Sequence, residues 1–209
     1  MALKIKVCGM KYQSNIRALA NLSPEYMGFI FYPPSKRFIG VEFEKQDITH
    51  LHPDIKKTAV FVDAQLNEVI EFSHIYGIKT LQLHGNESPD FCAALQQKDF
   101  TVIKAFGIDE NFDFSILESY QTVVDFFLFD TKTLNHGGSG ESFNWQTLAN
   151  YKLNKPFFLS GGLSLENLEQ ALGFKHEQFY GLDLNSKFEI EPGLKDIEKL
   201  NKAFELIRA

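Results

Sequence analysis

Short, strongly apolar segments recur at regular intervals along the chain. Eight of them have the length and composition of β-strands, at residues 4–8, 26–31, 58–62, 80–83, 101–105, 126–129, 156–159 and 179–184. Several are apolar at nearly every position, as in Phe126-Phe127-Leu128-Phe129, instead of at every second position. This pattern is typical of strands that are covered on both faces, and such strands belong to parallel sheets.

The segments between these strands follow the spacing of helices. One of them repeats apolar or small side chains at i, i+3, i+4 and i+7, at Leu66, Val69, Ile70 and Ser73. Ser88 followed by Pro89 predicts a helix start with an N-cap serine and proline at the first position. Ser164 predicts another helix start. The segment 196–208 forms a last helix, whose apolar face contains Ile197, Leu200, Ala203, Phe204 and Ile207.

Strand and helix therefore alternate about eight times in 209 residues, which leaves about 26 residues for each unit. Such alternation implies parallel strands joined by right-handed crossovers. An open sheet that binds a dinucleotide would carry G-x-G-x-x-G after its first strand, but this chain has Cys8-Gly9-Met10-Lys11. We predict an α/β fold in which residues 1–209 form a single compact (β/α)8 TIM barrel domain with eight parallel strands.

Composition narrows the classes of function. With 21 Lys+Arg against 27 Asp+Glu, the formal net charge is −6, which argues against a nucleic-acid partner. No apolar run approaches 18 residues and no signal peptide is recognisable, so we expect a cytoplasmic protein without a membrane partner. Two cysteines, Cys8 and Cys92, are too few for a disulfide framework. The histidines lack the spacing of metal ligands, so no metal is expected.

In a barrel of this type the active site forms where the strands end. The predicted strand ends and the loops after them are rich in titratable, polar and glycine residues, and the candidates are Cys8, Arg37, His84, Asp130, Gly161, Gly162, Asp183, Asn185 and Ser186. The loops after strands seven and eight suggest a phosphate site, since backbone N–H groups can face an anion there. The alternative is that Gly161-Gly162 only forms a tight turn before a helix capped by Ser164.

Cys8 and Asp130 are candidates for an acid–base pair. A thiolate at one strand end can remove a proton, and a carboxylic acid across the barrel can donate one. The alternatives are a small buried core residue for Cys8 and a turn cap for Asp130. Arg37 is either a clamp for a carboxylate or a solvated side chain, and His84 either contacts substrate or is structural. His136, in a glycine-rich segment, is assigned no chemistry, and Cys92 fits the core of a helix.

Seven segments, in order along the chain, resemble the phosphoribosylanthranilate isomerase family. They are 6–10 (KVCGM), 28–37 (GFIFYPPSKR), 60–63 (VFVD), 81–87 (LQLHGNE), 129–132 (FDTK), 137–140 (GGSG) and 159–163 (LSGGL). The resemblance implies a (β/α)8 barrel of tryptophan biosynthesis. It also implies conversion of N-(5-phosphoribosyl)anthranilate into 1-(2-carboxyphenylamino)-1-deoxyribulose 5-phosphate by an Amadori rearrangement, without metal or organic cofactor.

The same resemblance assigns roles to the candidate residues. Cys8 would be the general base, Asp130 the general acid, and Arg37 the partner of the anthranilate carboxylate. The phosphate-binding region would comprise Gly161, Gly162, Asp183, Asn185 and Ser186. The implied partner is a small phosphosugar, and the oligomeric state, monomer or homodimer, is left open.

One segment departs from the family pattern. After strand eight the family typically reads Asp-Val-Ser-Ser-Gly-Val-Glu, whereas residues 183–189 read DLNSKFE, with Lys187 in place of the glycine. A lysine adopts positive φ less readily than glycine, and it either supplies charge to a phosphate or is solvated. Two other functions stay open on the residues alone. One is another phosphosugar barrel enzyme, such as an aldose–ketose isomerase or a related barrel of the tryptophan pathway, although those commonly use Glu or Lys bases. The other is a catalytically silent phosphate-binding barrel, which would need neither Cys8 nor Asp130.

Overall fold

Eight parallel strands close into a barrel. In this computed structural model, which describes residues 2–40, 43–132 and 143–209, the strands are β1 (Lys4–Val7), β2 (Tyr26–Ile30), β3 (Lys56–Phe61), β4 (Thr80–Leu83), β5 (Thr101–Ile108), β6 (Phe126–Thr131), β7 (Phe157–Leu159) and β8 (Phe179–Leu184). Each strand pairs with the next, and β1 pairs with β8 over four residues. The predicted barrel is confirmed, with strand boundaries within a few residues of those predicted. His136 and the segment 137–140 lie outside the described residues.

Helices and short turns connect the strands on the outside of the barrel. The α-helices are α1 (Gln13–Ala20), α2 (Gln46–Thr49), α3 (Leu66–Tyr76), α4 (Pro89–Gln96), α5 (Leu168–Gly173) and α6 (Ile197–Arg208). The crossovers after β5 and β6 contain 3-10 turns instead, at Phe114–Tyr120 and Trp145–Asn150. After β8 the chain forms a 3-10 turn (Ser186–Phe188) and a small antiparallel pair, β9 (Glu189–Glu191) and β10 (Leu194–Lys195). None of the helices described has both the length and the apolar character needed to span a bilayer.

Local hydrogen bonds explain where two of the helices begin. The Ser88 hydroxyl accepts a hydrogen bond from the Phe91 N–H at 3.2 Å, so the predicted N-cap is confirmed. The predicted start at Ser164 is wrong, because α5 begins at Leu168. The Asn167 side chain accepts from the Ser164 N–H and donates to the Gly162 carbonyl, each at 2.9 Å. These side-chain contacts stabilise a turn in place of the first helical residues.

The amino-terminal end of the barrel is filled by aromatic rings. Tyr26 and Tyr180 each pack edge-on against Phe158, with ring centroids 5.1 and 5.2 Å apart. Their hydroxyl oxygens lie 3.1 Å from each other, and the Lys56 ammonium donates to the Tyr26 hydroxyl at 3.2 Å. These residues close this end of the barrel, so the open end is the one where the strands terminate.

A buried ion pair ties three neighbouring strands together near that open end. Lys104 on β5 lies 3.1 Å from the carboxylate of Glu87, and both side chains are only 2% exposed. The Lys104 ammonium also donates to the carbonyls of Leu83 and Gly85. Glu87 in turn accepts the N–H groups of Gly85 and of Asp63, which follows β3. The pair therefore fixes the loops that leave β3 and β4.

Removing the charge of Glu87 should destabilise the fold strongly. Glu87→Gln leaves the Lys104 ammonium buried without its counter-charge, and we expect a loss of about 3–5 kcal/mol in the free energy of unfolding, measured with urea. Lys4→Met is the control, because Lys4 and Glu25 form a half-exposed pair at 3.5 Å. That variant should lose less than about 1 kcal/mol. Equal losses in the two variants would contradict the role given to the buried pair.

Candidate active site

The carboxyl-terminal ends of the strands open onto one cleft of about 740 Å³, a volume that includes the solvent-filled mouth. All nine residues predicted for the site line it: Cys8, Arg37, His84, Asp130, Gly161, Gly162, Asp183, Asn185 and Ser186. Tyr32 and Gln82 also line the cleft. Among the described residues, no group of three or more His, Cys, Asp or Glu side chains is arranged to hold a metal ion.

Asp130 lies at the end of β6 in a largely buried position, with 17% of its side chain exposed. Its Oδ1 accepts the Thr131 N–H at 2.8 Å, and its Oδ2 lies 3.6 Å from the Nε2 atom of His84. Burial raises the pKa of Asp130 to about 6, although the Thr131 N–H and the charge of Lys6 act in the opposite direction. A carboxyl group in this state is still partly protonated near neutral pH and is better suited to donate a proton than an exposed aspartic acid.

His84 is oriented by a buried amide. Gln82 on β4 points its Nε2 at the Nδ1 atom of His84 at a distance of 3.0 Å. The other ring nitrogen, Nε2, faces Asp130. Gln82 therefore fixes the orientation of the His84 ring beside the candidate acid.

Cys8 directly follows β1 and is 3% exposed. Its N–H donates to the Leu184 carbonyl at 3.0 Å, which holds it against β8. A Cβ atom at position 28 would lie 2.7 Å from the Cys8 sulfur, so only the absence of a side chain at Gly28 leaves room for the thiol. Burial raises the pKa of the Cys8 thiol above its ordinary value, while the charges of Lys6 and Lys195 lower it.

Asp183 forms a buried ion pair with Lys6. The Lys6 ammonium lies 3.0 Å from both carboxylate oxygens, and the two side chains are 0% and 4% exposed. The pairing of β1 with β8 places the two residues opposite each other. A carboxylate repels a phosphate dianion, so the position of Asp183 in the cleft is better explained by its hold on Lys6 than by direct contact with phosphate.

Arg37 and Asn185 are joined through a second buried group of charges. Arg37 donates from Nε and Nη2 to the carboxylate of Glu189, at 2.7–3.0 Å. The Lys195 ammonium donates to Glu189 at 2.6 Å and to the Asn185 side chain at 2.7 Å. Burial would raise the pKa of Glu189, but Arg37 and Lys195 outweigh that effect and lower it. A substrate carboxylate would therefore meet Arg37 through its Nη1 edge and the remaining Nη2 proton.

The loop after β7 requires glycine at two consecutive positions. Gly161 and Gly162 have φ values of +86° and +62°, which side chains rarely tolerate. A Cβ atom on Gly161 would also lie 2.6 Å from the Thr131 nitrogen and 2.9 Å from Asp130 Oδ1. This loop therefore packs directly against the candidate acid.

Lys187 stands in the 3-10 turn after β8 with its side chain exposed. Its carbonyl accepts a hydrogen bond from the Lys199 ammonium at 2.8 Å. Lys187 is not in the set of described residues that line the cleft, whereas Asn185 and Ser186 are. The solvated interpretation of Lys187 thus fits its position better than direct contact with a bound anion.

Lys6, Gln82, Glu189 and Lys195 are parts of the site that sequence reasoning did not select. Lys6 had a usable signal, because it is a charged residue inside an otherwise apolar strand and would be buried only with a partner. Gln82 had a similar signal, because it is a polar residue inside the otherwise mostly apolar strand β4. Nothing near Lys195 marks it as buried, since it lies in a polar segment between Pro192 and Asp196.

Comparison with known proteins agrees with this architecture. The family model described as N-(5'phosphoribosyl)anthranilate (PRA) isomerase matches residues 5–206. The chain belongs to this family. The N-(5'-phosphoribosyl)anthranilate isomerase of Parabacteroides distasonis is 48% identical over 206 residues, which cover 97% of this chain and 92% of that protein. The family resemblance carried by the seven segments is confirmed.

Solved structures of phosphoribosylanthranilate isomerases have the same fold as this chain. The structure from Thermus thermophilus matches with a TM-score of 0.84 and 28% identity, covering 99% of this chain and 98% of that one. The structure from Thermotoga maritima matches with a TM-score of 0.83 and 29% identity, covering 97% of each chain. The family fold therefore extends over nearly the whole chain.

The raised pKa of Asp130 predicts how stability depends on pH. In the folded protein the carboxyl loses its proton near pH 6, but in the unfolded chain it does so near pH 4. Between these values the folded state binds more protons, so the contribution of Asp130 to stability falls as the pH rises through this window. Asp130→Asn should therefore be more stable than the unmodified protein at pH 7.5, by about 1–3 kcal/mol, and nearly equal at pH 4. Urea unfolding at both pH values measures this difference, and a variant that is less stable at pH 7.5 would contradict it.

Proposed function

We propose that this protein isomerises N-(5'-phosphoribosyl)anthranilate to 1-(2-carboxyphenylamino)-1-deoxyribulose 5-phosphate in tryptophan biosynthesis. The observation that carries the proposal is that one cleft contains a buried carboxyl with a raised pKa, a thiol and a two-glycine loop. Membership of the isomerase family supports it. Residues 1–209 would act as one domain, in the cytoplasm, on a small phosphosugar.

In the first step of the proposed reaction, Asp130 donates its proton to the ring oxygen of the ribose. The bond between this oxygen and C1' breaks, and the nitrogen lone pair forms an iminium ion. A pKa of about 6 leaves part of the Asp130 population protonated near neutral pH and makes that carboxyl a better donor than an exposed aspartic acid. The Thr131 N–H that Asp130 accepts favours the carboxylate that remains after the proton has left.

In the second step Cys8 removes the proton from C2'. The iminium charge acidifies that carbon, and the electron pair of the C–H bond moves to form the enolamine. The proton is then on the Cys8 sulfur, and proton exchange with solvent restores the Cys8 thiolate and the Asp130 carboxylic acid before the next turnover. Tautomerisation of the enolamine gives the ketose product. Each step is a proton transfer or a bond rearrangement within the substrate, so the proposed reaction uses neither metal nor organic cofactor.

The two ends of the substrate carry charges that fix it between acid and base. The phosphate would bind backbone N–H groups of Gly161 and Gly162 and the loop that contains Asn185 and Ser186. The anthranilate carboxylate would bind Arg37, which Glu189 holds in place. Holding both ends places the ribose carbons within reach of the acid and the base, which is the main source of rate in such a reaction.

Replacing the acid or the base should abolish most turnover without unfolding the protein. For Cys8→Ser and Asp130→Asn we expect a loss in kcat of about a hundredfold or more, since a positioned acid or base contributes at least this much. Steady-state turnover of phosphoribosylanthranilate made in situ measures the effect. Cys92→Ser is the matched control, because Cys92 is equally buried but lies on α4 outside the cleft. Near-normal kcat and a lower Tm in Cys8→Ser would show that Cys8 contributes only to packing and is not the base.

Blocking the glycine loop should weaken binding more than it weakens the fold. Gly162→Leu places a side chain where the phosphate would approach, and losing its charged hydrogen bonds should raise KM by about tenfold or more. Competition by inorganic phosphate should weaken in parallel. Gly173→Leu is the control, because a Cβ there meets nothing within 4 Å and Gly173 lies at the end of α5. Unchanged phosphate competition in Gly162→Leu would count against the anion site.

A further inference from the structure

A buried ammonium lies beside the thiol of Cys8. Lys6 and Cys8 are two positions apart along β1 and its direct extension, so their side chains project to the same side of the chain. The Lys6 side chain is fully buried and contacts both oxygens of Asp183. The reaction described above gives no task to Lys6, although burying a charge in a barrel interior is costly.

We propose that Lys6 is a positioning residue whose ammonium, held by Asp183, stabilises the Cys8 thiolate that removes the substrate proton and makes it easier to form. This inference rests on the proposed function, because it concerns the base of that reaction. It adds a residue that touches no substrate atom and acts through Cys8.

The surroundings of Cys8 explain why such a group is needed. The thiol is 3% exposed, and loss of water by itself disfavours a thiolate. From β2 it meets Gly28, which has no charge to offer. The charged groups that act on it are Lys6 on β1 and Lys195 on β10, which lower its pKa, and Asp183 on β8, which raises it. Lys6 has the largest favourable effect of the three.

Asp183 keeps the Lys6 ammonium charged and in place. Burial alone would lower the pKa of Lys6, but Asp183 and the thiol of Cys8 outweigh it and raise that pKa. Asp130 on β6 adds a weaker interaction with both members of the pair. The ammonium is consequently positive throughout the pH range in which Cys8 would work, and its two contacts at 3.0 Å fix its position.

The test measures the Cys8 thiol directly. In a Cys92→Ala background only Cys8 titrates as a thiol, and its thiolate is followed by absorbance at 240 nm and by the rate of alkylation with iodoacetamide across pH. Lys6→Met should raise the thiol pKa by about 1–3 units, the effect of losing an opposite charge at close range. The thiolate fraction below that pKa should fall by about tenfold or more, and the plateau of the kcat/KM profile should fall with it. Because the pKa of Asp130, about 6, lies below that of Cys8, the alkaline limb of the profile follows Cys8 and should move to higher pH.

Lys6→Met leaves Asp183 buried without a counter-charge, and this variant could fail to fold. A second variant keeps the test decisive in that case. Lys6→Met/Asp183→Asn removes both charges, and the thiol pKa should still rise, since Lys6 affects Cys8 more than Asp183 does. The matched control is Lys104→Met, which removes another buried ammonium from an ion pair with a carboxylate. It should lower stability comparably and leave the thiol pKa and the alkaline limb unchanged.

One result would overturn the inference about Lys6, and a different result would overturn the proposed function on which it rests. If the Lys6 variants lose stability while the thiol pKa and the alkaline limb stay where they are, Lys6 is merely structural and the inference fails. If the protein with all its native residues does not turn over phosphoribosylanthranilate, the proposed function fails, whatever the thiol titration shows. A raised thiol pKa together with a lower kcat/KM plateau and a shifted alkaline limb supports the role of Lys6.

Discussion

The seam between β1 and β8 is the constraint on which both fold and site depend. A barrel of consecutive parallel strands closes only when the first strand pairs with the last, and here that pairing covers Lys4 to Val7 against Gly181 to Leu184. The ion pair of Lys6 with Asp183 crosses this seam inside the barrel. Closing the sheet therefore also assembles the charges beside Cys8, which are separated by 177 residues along the chain.

Charged groups replace a purely apolar filling at the open end of the barrel. The side chains of Lys6, Lys104 and Lys195 are each no more than 2% exposed, and each contacts a carboxylate. Ion pairs of this kind seldom stabilise a protein more than apolar packing would, so their value is to fix polar groups in one arrangement. The aromatic rings at the other end supply packing instead. Stability and chemistry are thus divided between the two ends.

The sequence predicted those features that depend on local patterns. Eight strands, the N-cap at Ser88 and the glycine loop at Gly161 follow from periodicity, capping chemistry and the position of strand ends. The predicted helix start at Ser164 was wrong, because the Asn167 side chain forms competing hydrogen bonds that the spacing of apolar residues does not reveal. The β9–β10 pair and the contact of Lys195 with Glu189 depend on how the chain folds back after β8. The partners of Lys6 and Arg37 are likewise distant in sequence, so no local pattern identifies them.

The edge-on rings of Tyr26, Phe158 and Tyr180 determine how a ligand can enter and leave the barrel. Because they close the amino-terminal end, whatever binds in the cleft enters and leaves by the same mouth. A product that keeps both charged ends of its substrate would be held by the same groups that attracted the substrate. Each product molecule would then have to leave through the mouth of the cleft before the next substrate molecule could enter through it.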